Sequence, residues 1–236
     1  MEDITKITQW MIDVYSSPKK NYQELAKEEI KRFEEEGKRP SLLLQVCCGP
    51  CSCYPLTFLC PHFDVTIYYS NSNIYPPSEF TKREGEVEKL IANLKRDYGF
   101  DIGLVVAPYD NEAYNKILEP YAESKECGPR CKVCYETRMR EAYDYADANG
   151  FDYFCTVMTI SRQKSSQILN AIGKLLEEEK SHKAKYFYSD FKKEDGVNKG
   201  KAIREEYGLY NQDYCGCIYS FNERNERLAK KLDEKE

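Results

Sequence analysis

The cysteines of this chain are concentrated in three short segments whose spacing suits a metal centre. Eleven cysteines occur in 236 residues, and the first segment reads Cys47-Cys48-Gly49-Pro50-Cys51. The second segment holds Cys127, Cys131 and Cys134, and the third is Cys215-Gly216-Cys217. Thiolate is the ligand of iron–sulfur clusters and of zinc, and closely spaced cysteines present several thiolates to one centre. The pattern predicts an iron–sulfur cluster first and a cysteine-rich zinc site second.

A disulfide framework is the alternative interpretation of so many cysteines. Residues Met1 to Trp10 contain no apolar run of signal-peptide length, and the adjacent pair Cys47-Cys48 is awkward for two independent bridges. A chain of this length can also bury a full core without disulfides. We therefore expect a metal or redox role, in a reducing cytosol. His62 and His182 are the only histidines, which argues against a histidine-based catalytic zinc or iron site.

The remaining cysteines and the overall composition set further limits. We expect Cys60 and Cys155 to be buried as small hydrophobic residues, whereas the sequence leaves the role of Cys53 open. The net charge is −5, so a nucleic-acid partner would need a local basic patch. No segment is long and apolar enough to span a membrane, so no membrane partner is expected.

The hydrophobic pattern predicts strands that alternate with helices. Short apolar runs predict strands at 42–46, 64–70, 102–107, 151–158 and 185–188. Helical periodicity predicts helices at 4–15, 22–36, 78–98, 111–118, 129–149, 163–179, 197–207 and 220–233. This alternation predicts an α/β fold with an open parallel sheet and helices on both faces. Residues 1–40 are predicted to form an N-terminal helical extension, and residues 41–236 an α/β metal-binding catalytic domain with C-terminal helices.

Several chemically capable residues directly follow predicted strands. Cys47, Asp110, Ser161 and Asp190 each lie at or within a few residues of a strand end. Ligands of open parallel sheets bind beyond the carboxyl ends of the strands, so the metal site is predicted at that edge. The turn after the first strand has no glycine-rich phosphate motif and carries cysteines instead, which argues against phosphate binding there.

A basic segment is predicted at the same edge of the sheet. Residues 159–166 join a strand to a helix and include Arg162 and Lys164, and such a turn suits an anion. Lys192 and Lys193, which follow Asp190, could extend the strip. The alternative interpretation is an ordinary capped helix start with solvated charges, because serine is a common N-cap residue.

In combination, these motifs resemble a known family. They look like the QueH-type epoxyqueuosine reductases over residues 41 to 221, in the family's order. The segments that carry the resemblance are Cys47 to Cys51, Asn73-Ile74-Tyr75-Pro76, Tyr109-Asp110, Arg130 to Tyr135, Phe151 to Phe154, Asp190 to Lys193 and Gly208 to Cys217. The resemblance implies reduction of epoxyqueuosine to queuosine at the tRNA wobble position, the last step of queuosine synthesis. It also implies a [4Fe-4S] cluster, an adjacent mononuclear metal held by cysteines and an aspartate, and a fold related to HUP or PP-loop proteins.

Transferred onto this sequence, the resemblance gives a set of expected site residues. The expected metal ligands are Cys47, Cys48, Cys51, Cys131, Cys134, Cys215, Cys217, and either Asp110, the first choice, or Asp190. Within that set we expect Cys48, Cys51, Cys131 and Cys134 to bind the cluster, and Cys47, Asp110, Cys215 and Cys217 to be catalytic. The thiolates beyond the four of one cluster would serve the adjacent metal, with iron as the expected ion, or form a redox pair. Cys127 is a possible spare ligand. The expected tRNA contacts come from the predicted basic segment rather than from the resemblance; they are Arg162, Lys164, Lys192 and Lys193.

Epoxide reduction to an alkene and water needs two electrons and two protons, and no nicotinamide or flavin motif is present to supply them. A cluster would pass the electrons singly from a donor that the sequence does not identify, and a metal with an open position would act as a Lewis acid. Two other functions stay open. One is a zinc-stabilised RNA-binding protein without catalysis. The other is an ATP-dependent tRNA thiolation enzyme, which the missing phosphate loop disfavours.

Overall fold

A computed structural model describes residues 3–179 and 183–233 of the chain. Its centre is a five-stranded, fully parallel sheet. The strands are β1 (Ser41–Gln45), β2 (Asp64–Tyr69), β3 (Gly103–Val106), β4 (Tyr153–Thr156) and β5 (Lys185–Tyr186). They lie in the order β3-β2-β1-β4-β5. The parallel α/β sheet predicted from the sequence is therefore confirmed.

Nine helices surround this sheet within the described ranges. They are α1 (Ile4–Ser16), α2 (Tyr22–Glu35), α3 (Gly49–Leu59), α4 (Pro77–Tyr98), α5 (Asn111–Leu118), α6 (Pro129–Ala148), α7 (Ser166–Glu178), α8 (Gly196–Glu206) and α9 (Ile218–Asp233). Short 3-10 turns occupy Glu119–Tyr121 and Val157–Ile160. None of the described helices is both long and apolar enough to cross a membrane.

Alternating side chains of the central strand build a core on each face of the sheet. Leu42 and Leu44 pack into one apolar cluster with residues of α2, α3 and α4, and Leu43 packs into the opposite cluster with residues of α1, α6 and α7. Residues of the predicted N-terminal extension therefore take part in both clusters. The predicted placement of helices on both faces is confirmed, because successive strand residues point to opposite sides.

Helix α3 is the element that the sequence pattern does not predict. Its residues are buried around most of its circumference, so no polar face produces a helical period. Pro50 lies in its first turn, where a missing backbone N–H costs little, and Pro55 lies inside it. Gly49 allows a close approach to α4, because a Cβ atom there would lie 2.6 Å from the carbonyl oxygen of Glu86.

The segment after β4 also differs from the prediction. The strand ends at Thr156 rather than at residue 158, because the Thr156 hydroxyl accepts a hydrogen bond from the Met158 backbone N–H group at 3.1 Å and a 3-10 turn follows. Helix α7 then starts at Ser166, three residues later than predicted. Its N-cap is Ser165, whose hydroxyl oxygen accepts a hydrogen bond from the Ile168 N–H group.

Candidate active site

Three thiols meet immediately beyond the carboxyl end of β1. Cys47 and Cys48 lie between β1 and α3, with Cys48 as the N-cap, and Cys51 lies in the first turn of α3. The sulfur atoms of Cys47, Cys48 and Cys51, called the three-thiol group below, all lie within 4.8 Å of one another. A helix N-terminus favours thiolate through its dipole and its free N–H groups. The local sequence thus concentrates three soft ligands at a place that stabilises their ionised form.

The titration behaviour of the three-thiol group shows that the thiols interact strongly. Hydrogen bonds with the thiols of Cys48 and Cys51, helped by the positive charges of Arg138 and Lys164, hold the pKa of Cys47 well below its ordinary value. Burial and the hydrogen bond with Cys47 raise the pKa of Cys48 to about 12. Without metal, the thiolate of Cys47 is therefore favoured, and hydrogen bonds from the Cys48 and Cys51 thiols stabilise it.

Four further thiols line a small buried cavity. Cys131 and Cys134 lie in the first two turns of α6, and Cys215 and Cys217 flank Gly216 just before α9. These four residues, called the four-thiol group below, line a space of about 20 Å³ together with Asn73 and Arg130. Burial raises the pKa of Cys131 to about 12 and that of Cys134 to about 11. Bringing these sulfur atoms together as thiolates therefore requires a compensating cation.

The spacing of the sulfur atoms differs between the two groups. Over the part of the chain that the structure describes, only the three-thiol group places three potential metal-ligand atoms within 4.8 Å of one another. Metal–sulfur bonds of about 2.3 Å with tetrahedral angles bring sulfurs to about 3.8 Å apart, so the three-thiol group has the dimensions of a single-ion site. The wider four-thiol group has the ligand number of a cubane iron–sulfur cluster.

Buried Arg83 fixes the segment that carries Cys215. Its guanidinium donates hydrogen bonds to the carbonyl oxygens of Cys215 at 2.9 Å and Tyr214 at 3.2 Å. Glu79 accepts a third hydrogen bond from Nε at 2.8 Å and balances the charge. The backbone N–H group of Tyr75 donates to the carbonyl oxygen of Gly216 at 2.8 Å. Helix α4 and the loop before it thereby position the second half of the four-thiol group.

A crevice lies where the two thiol groups approach each other. It has a volume of about 530 Å³, and Cys47, Cys51 and Cys215 are among its lining residues. It opens beside the carboxyl ends of β1 and β4, two neighbouring strands of the sheet. The chain continues from β1 to α3 on one face of the sheet and from β4 to α7 on the other. Such a switch point is the usual ligand site of an open parallel sheet, and the volume is in the range of small-molecule sites.

The predicted aspartate ligands lie in other environments. Asp110 is the exposed N-cap of α5, and its Oδ1 atom accepts a hydrogen bond from the Ala113 N–H group at 2.9 Å. Asp190 accepts a hydrogen bond from Ser166 at 2.9 Å and pairs with Lys192 at 3.0 Å. Among the described residues, neither carboxylate joins the compact group of ligand atoms around the three thiols. Asp110 thus caps a helix, and Asp190 contacts two side chains.

The four predicted cationic contacts also divide by environment. Arg162 and Lys193 are exposed, and Arg162 lines the crevice. Lys192 donates a hydrogen bond to the carbonyl oxygen of Thr159 at 2.7 Å, which fixes the turn after β4. Half-buried Lys164 also lines the crevice; burial acts to lower its pKa, but the nearby Cys215 and Cys47 thiolates outweigh burial and raise it. Lys192 therefore has an internal backbone partner, whereas Lys164 lies in the electrostatic field of the thiols.

The four other cysteines do not line the crevice. Cys60 and Cys155 are buried in the core, which confirms the prediction, and Cys53 is buried in the same cluster. Cys127 is exposed, and its backbone N–H group donates to the Cys131 sulfur at 3.2 Å. All eleven cysteines are free thiols.

Two residues at the thiols were not predicted from the sequence. Gln212 donates a hydrogen bond to the Cys48 sulfur at 2.8 Å, and buried Arg138 lies one helical turn after Cys134. The sequence hints at these two roles only through closeness to the cysteines. Gln212 precedes Cys215 by three residues, and Arg138 follows Cys134 by four. Spacing alone does not show which of many polar neighbours turns toward the thiols.

The parallel sheet with a thiol-lined crevice at its switch point defines an α/β protein equipped to hold metal. Comparison with known proteins identifies the family within this class. A sequence model described as Epoxyqueuosine reductase QueH matches residues 42–223. Proteins named Epoxyqueuosine reductase QueH from Streptococcus pyogenes serotype M1 and Staphylococcus aureus (strain Mu50) are 37% and 34% identical to this chain. These alignments cover 85% and 89% of this chain, and 78% and 88% of the relatives.

A protein of the same name from Thermotoga maritima is 30% identical, over 80% of this chain and 95% of that relative. The matched region includes both thiol groups and all of the sheet except Ser41, the first residue of β1. The chain belongs to the epoxyqueuosine reductase QueH family, a family of oxidoreductases.

Proposed function

We propose that this protein reduces epoxyqueuosine to queuosine in tRNA, at the wobble position, as the last step of queuosine synthesis. The observation that carries the proposal is the meeting of two separate thiol groups at one crevice of about 530 Å³. The names of the relatives supply the substrate. A tRNA substrate places the reaction in the cytoplasm. We also propose that the fold of the sheet is related to the fold of the HUP and PP-loop proteins.

The numbers of thiol ligands in the two groups match two different metal centres. Cys131, Cys134, Cys215 and Cys217 would hold a [4Fe-4S] cluster, because four thiolates around one cavity match its ligand requirement. Cys47, Cys48 and Cys51 would hold a single iron ion with one position left for substrate. This assignment groups the cysteines by proximity in the fold. It needs neither Asp110 nor Asp190 as a ligand.

The reaction requires both carbon–oxygen bonds of the epoxide to break, a carbon–carbon double bond to form, and the oxygen to leave as water. Two electrons and two protons balance this change. When bound, the two centres would supply electrons one at a time and Lewis acidity toward the epoxide oxygen. The protein contributes the crevice that orients the nucleoside, and the Lys164 ammonium group, which offers N–H donors to substrate oxygens within that crevice.

The charge distribution supports a nucleic-acid substrate despite a net charge of −5. The lining of the crevice includes more cationic than acidic side chains: Arg162, Lys164, Lys201, Arg204 and Arg227 against Glu126, Asp213 and Glu223. A local cluster of cations can attract the phosphates that flank the wobble base even when the summed charge is negative. A separate electron donor would supply the two electrons.

The turnover experiment uses anaerobically purified protein, tRNA that contains epoxyqueuosine, and a chemical reductant. Nucleosides from the digested tRNA are then analysed by mass spectrometry. We expect a product that lacks one oxygen atom, in amounts that depend on the protein. The Cys60→Ser variant should form the same product as the wild type, because Cys60 is a core thiol outside the crevice. Unchanged epoxyqueuosine in the presence of iron-loaded, folded protein would overturn the proposal.

Metal analysis separates this proposal from the non-catalytic alternative. A zinc-stabilised RNA-binding protein would be colourless and would hold zinc without sulfide. We expect brown protein that contains iron and sulfide, with more than four iron atoms per chain, because the thiols exceed the need of one cluster. ATP-dependent thiolation is disfavoured, because the turn after β1 presents cysteines where a glycine-rich phosphate loop would lie.

A further inference from the structure

Gln212 has an amide group in contact with the three-thiol group. It lies in the loop between α8 and α9 and lines the crevice. Its Nε2 atom is 2.8 Å from the Cys48 sulfur and 3.7 Å from the Cys51 sulfur. Its Oε1 atom is buried and has no hydrogen-bond partner among the described residues. One half of the amide is thus engaged with thiols, and the other half is unsatisfied.

The orientation of this amide follows from the chemistry of the sulfur atoms. A thiolate is a hydrogen-bond acceptor only, so it attracts the NH₂ group and repels the amide oxygen. An N–H group directed at a metal-bound thiolate withdraws electron density from the sulfur, which favours the reduced state of the metal. As thiolate ligands of a metal, Cys48 and Cys51 would therefore fix which end of the Gln212 amide faces them.

The unsatisfied oxygen points to a ligand. Buried polar atoms of proteins nearly always have partners, so an orphaned acceptor in a crevice wall is suited to a donor that arrives with the substrate. A nucleoside offers O–H and N–H groups of this kind. In the bound state, the amide oxygen would accept the hydrogen bond that the free protein does not provide.

We propose that Gln212 is a positioning residue of the reductase site, whose N–H group sets the electron density of the Cys48 thiolate and whose carbonyl oxygen accepts a hydrogen bond from the bound nucleoside. The second part rests on the proposed function. The first part concerns only the protein and its metal.

Two substitutions separate the two roles. Gln212→Glu keeps the shape and the acceptor but removes the N–H donor, whereas Gln212→Met keeps a similar length and removes both. Gln163→Glu is the matched control, because Gln163 is an exposed glutamine that lines the same crevice. It adds the same negative charge, and Gln163 has no hydrogen bond to the three-thiol group among the described residues. Retention of cluster absorbance shows that each variant is folded.

The test measures three quantities on the metal-loaded protein: resistance of the non-cluster iron to a chelator, its reduction potential, and the KM for epoxyqueuosine tRNA. We expect both Gln212 variants to lose roughly 10- to 100-fold in iron affinity and to shift to a more negative potential. The KM should rise in Gln212→Met and rise less in Gln212→Glu. The control should keep wild-type values for iron affinity and potential.

Wild-type affinity and potential in both Gln212 variants would overturn the donor role. An unchanged KM in Gln212→Met would overturn the acceptor role. Failure of the proposed function itself is distinguishable, because wild-type protein would then show no turnover, while the iron affinity and potential would still report on Gln212.

Discussion

Arg138 donates a hydrogen bond from Nη2 to Oδ1 of Asn71 at 2.6 Å, and this contact connects the two thiol groups. Asn71 in turn donates from Nδ2 to the carbonyl oxygen of Val46 at 2.8 Å, immediately before Cys47. Arg138 is only 2% exposed and lies on the helix that carries Cys134. It forms no ion pair with a carboxylate in the described ranges. Burial acts to lower its pKa, but the thiolates of Cys134 and Cys47 outweigh burial and raise it.

Replacing Arg138 by Met should therefore affect both metal centres. The variant removes the buried positive charge that balances the thiolates, and it leaves the Asn71 side-chain oxygen without its donor, at a cost of about 1–3 kcal/mol. We expect lower iron content and a more negative potential for the iron that remains. Arg138→Lys keeps the charge and should retain more iron. Equal potentials in wild type and Arg138→Met would show that this cation does not act on the metals.

Gly216→Ala should disrupt the four-thiol group. Gly216 has a φ angle of +136°, a conformation that strains other residues, and an added Cβ atom would lie 3.1 Å from Arg83 Nη1. The substitution should displace Cys215 and Cys217 and reduce the sulfide content. Gly85→Ala is the control, because a Cβ atom there meets nothing within 4 Å; being inside α4, it should stabilise the protein by roughly 0.5–1 kcal/mol. Full sulfide content in Gly216→Ala would contradict the assignment of that loop to the cluster.

Arg162, an exposed cation in the crevice wall, should contribute to salt-dependent tRNA binding. Arg162→Ala should weaken tRNA binding and reduce the slope of log affinity against log salt by about 0.7 to 1, the value for one phosphate contact. Lys31→Ala, which removes an exposed cation of α2, should leave the slope unchanged. Binding measured at several salt concentrations tests this directly. An unaltered slope in Arg162→Ala would place the RNA elsewhere.

Cys155 should make the stability of the protein depend on alkaline pH. Burial raises the pKa of its thiol to about 12 in the folded state, whereas an unfolded thiol ionises near pH 8.5. The folded-state pKa is raised, so the stabilisation is complete below about pH 8.5 and is lost as pH rises toward 12. In Cys155→Ala, the loss of unfolding free energy between pH 7 and pH 10 should be smaller than in wild type by about 1–2 kcal/mol.

The neighbouring substitution Val157→Ala controls for lost packing, because Val157 is equally buried and does not titrate. It should lower stability by the same amount at both pH values. Urea unfolding at pH 7 and pH 10 provides the measurement. If the free energy of unfolding falls by the same amount from pH 7 to pH 10 in Cys155→Ala and in the wild type, this thiol does not contribute to the loss of stability at alkaline pH.

The strands could be predicted as short apolar runs because most of their residues are buried, and most helices could be predicted because they have a buried and an exposed face. Helix α4 has a clear apolar stripe that includes Val87, Leu90 and Leu94, and its bounds differ from the prediction by one residue. Helix α3 gives no such signal, because it is enclosed by the sheet, α4 and α8. Periodicity reports the contrast between two faces of an element, so a fully enclosed helix escapes it.

The grouping of the thiols could not be predicted from spacing. The sequence shows that Cys131 and Cys134 share a helix face, but their partners Cys215 and Cys217 come from a loop that Arg83 holds in place. Likewise, Asp110 lies a few residues after β3 and directly precedes α5, and the same position suits a metal ligand or an N-cap. Long-range contacts decide between such alternatives, and they are not encoded in local spacing.

The Mössbauer spectrum of anaerobic protein loaded with isotopically enriched iron tests the central claim most directly, because it distinguishes a single iron ion from cluster iron. We predict two species in the wild type, a [4Fe-4S] cluster and a single iron. Cys48→Ser should lose the single-iron species alone, and Cys134→Ser should lose the cluster, since a hydroxyl is a poor substitute for a soft thiolate. A single iron species in the wild type, or loss of the cluster in Cys48→Ser with the single iron retained, would contradict the division of the crevice into two metal sites.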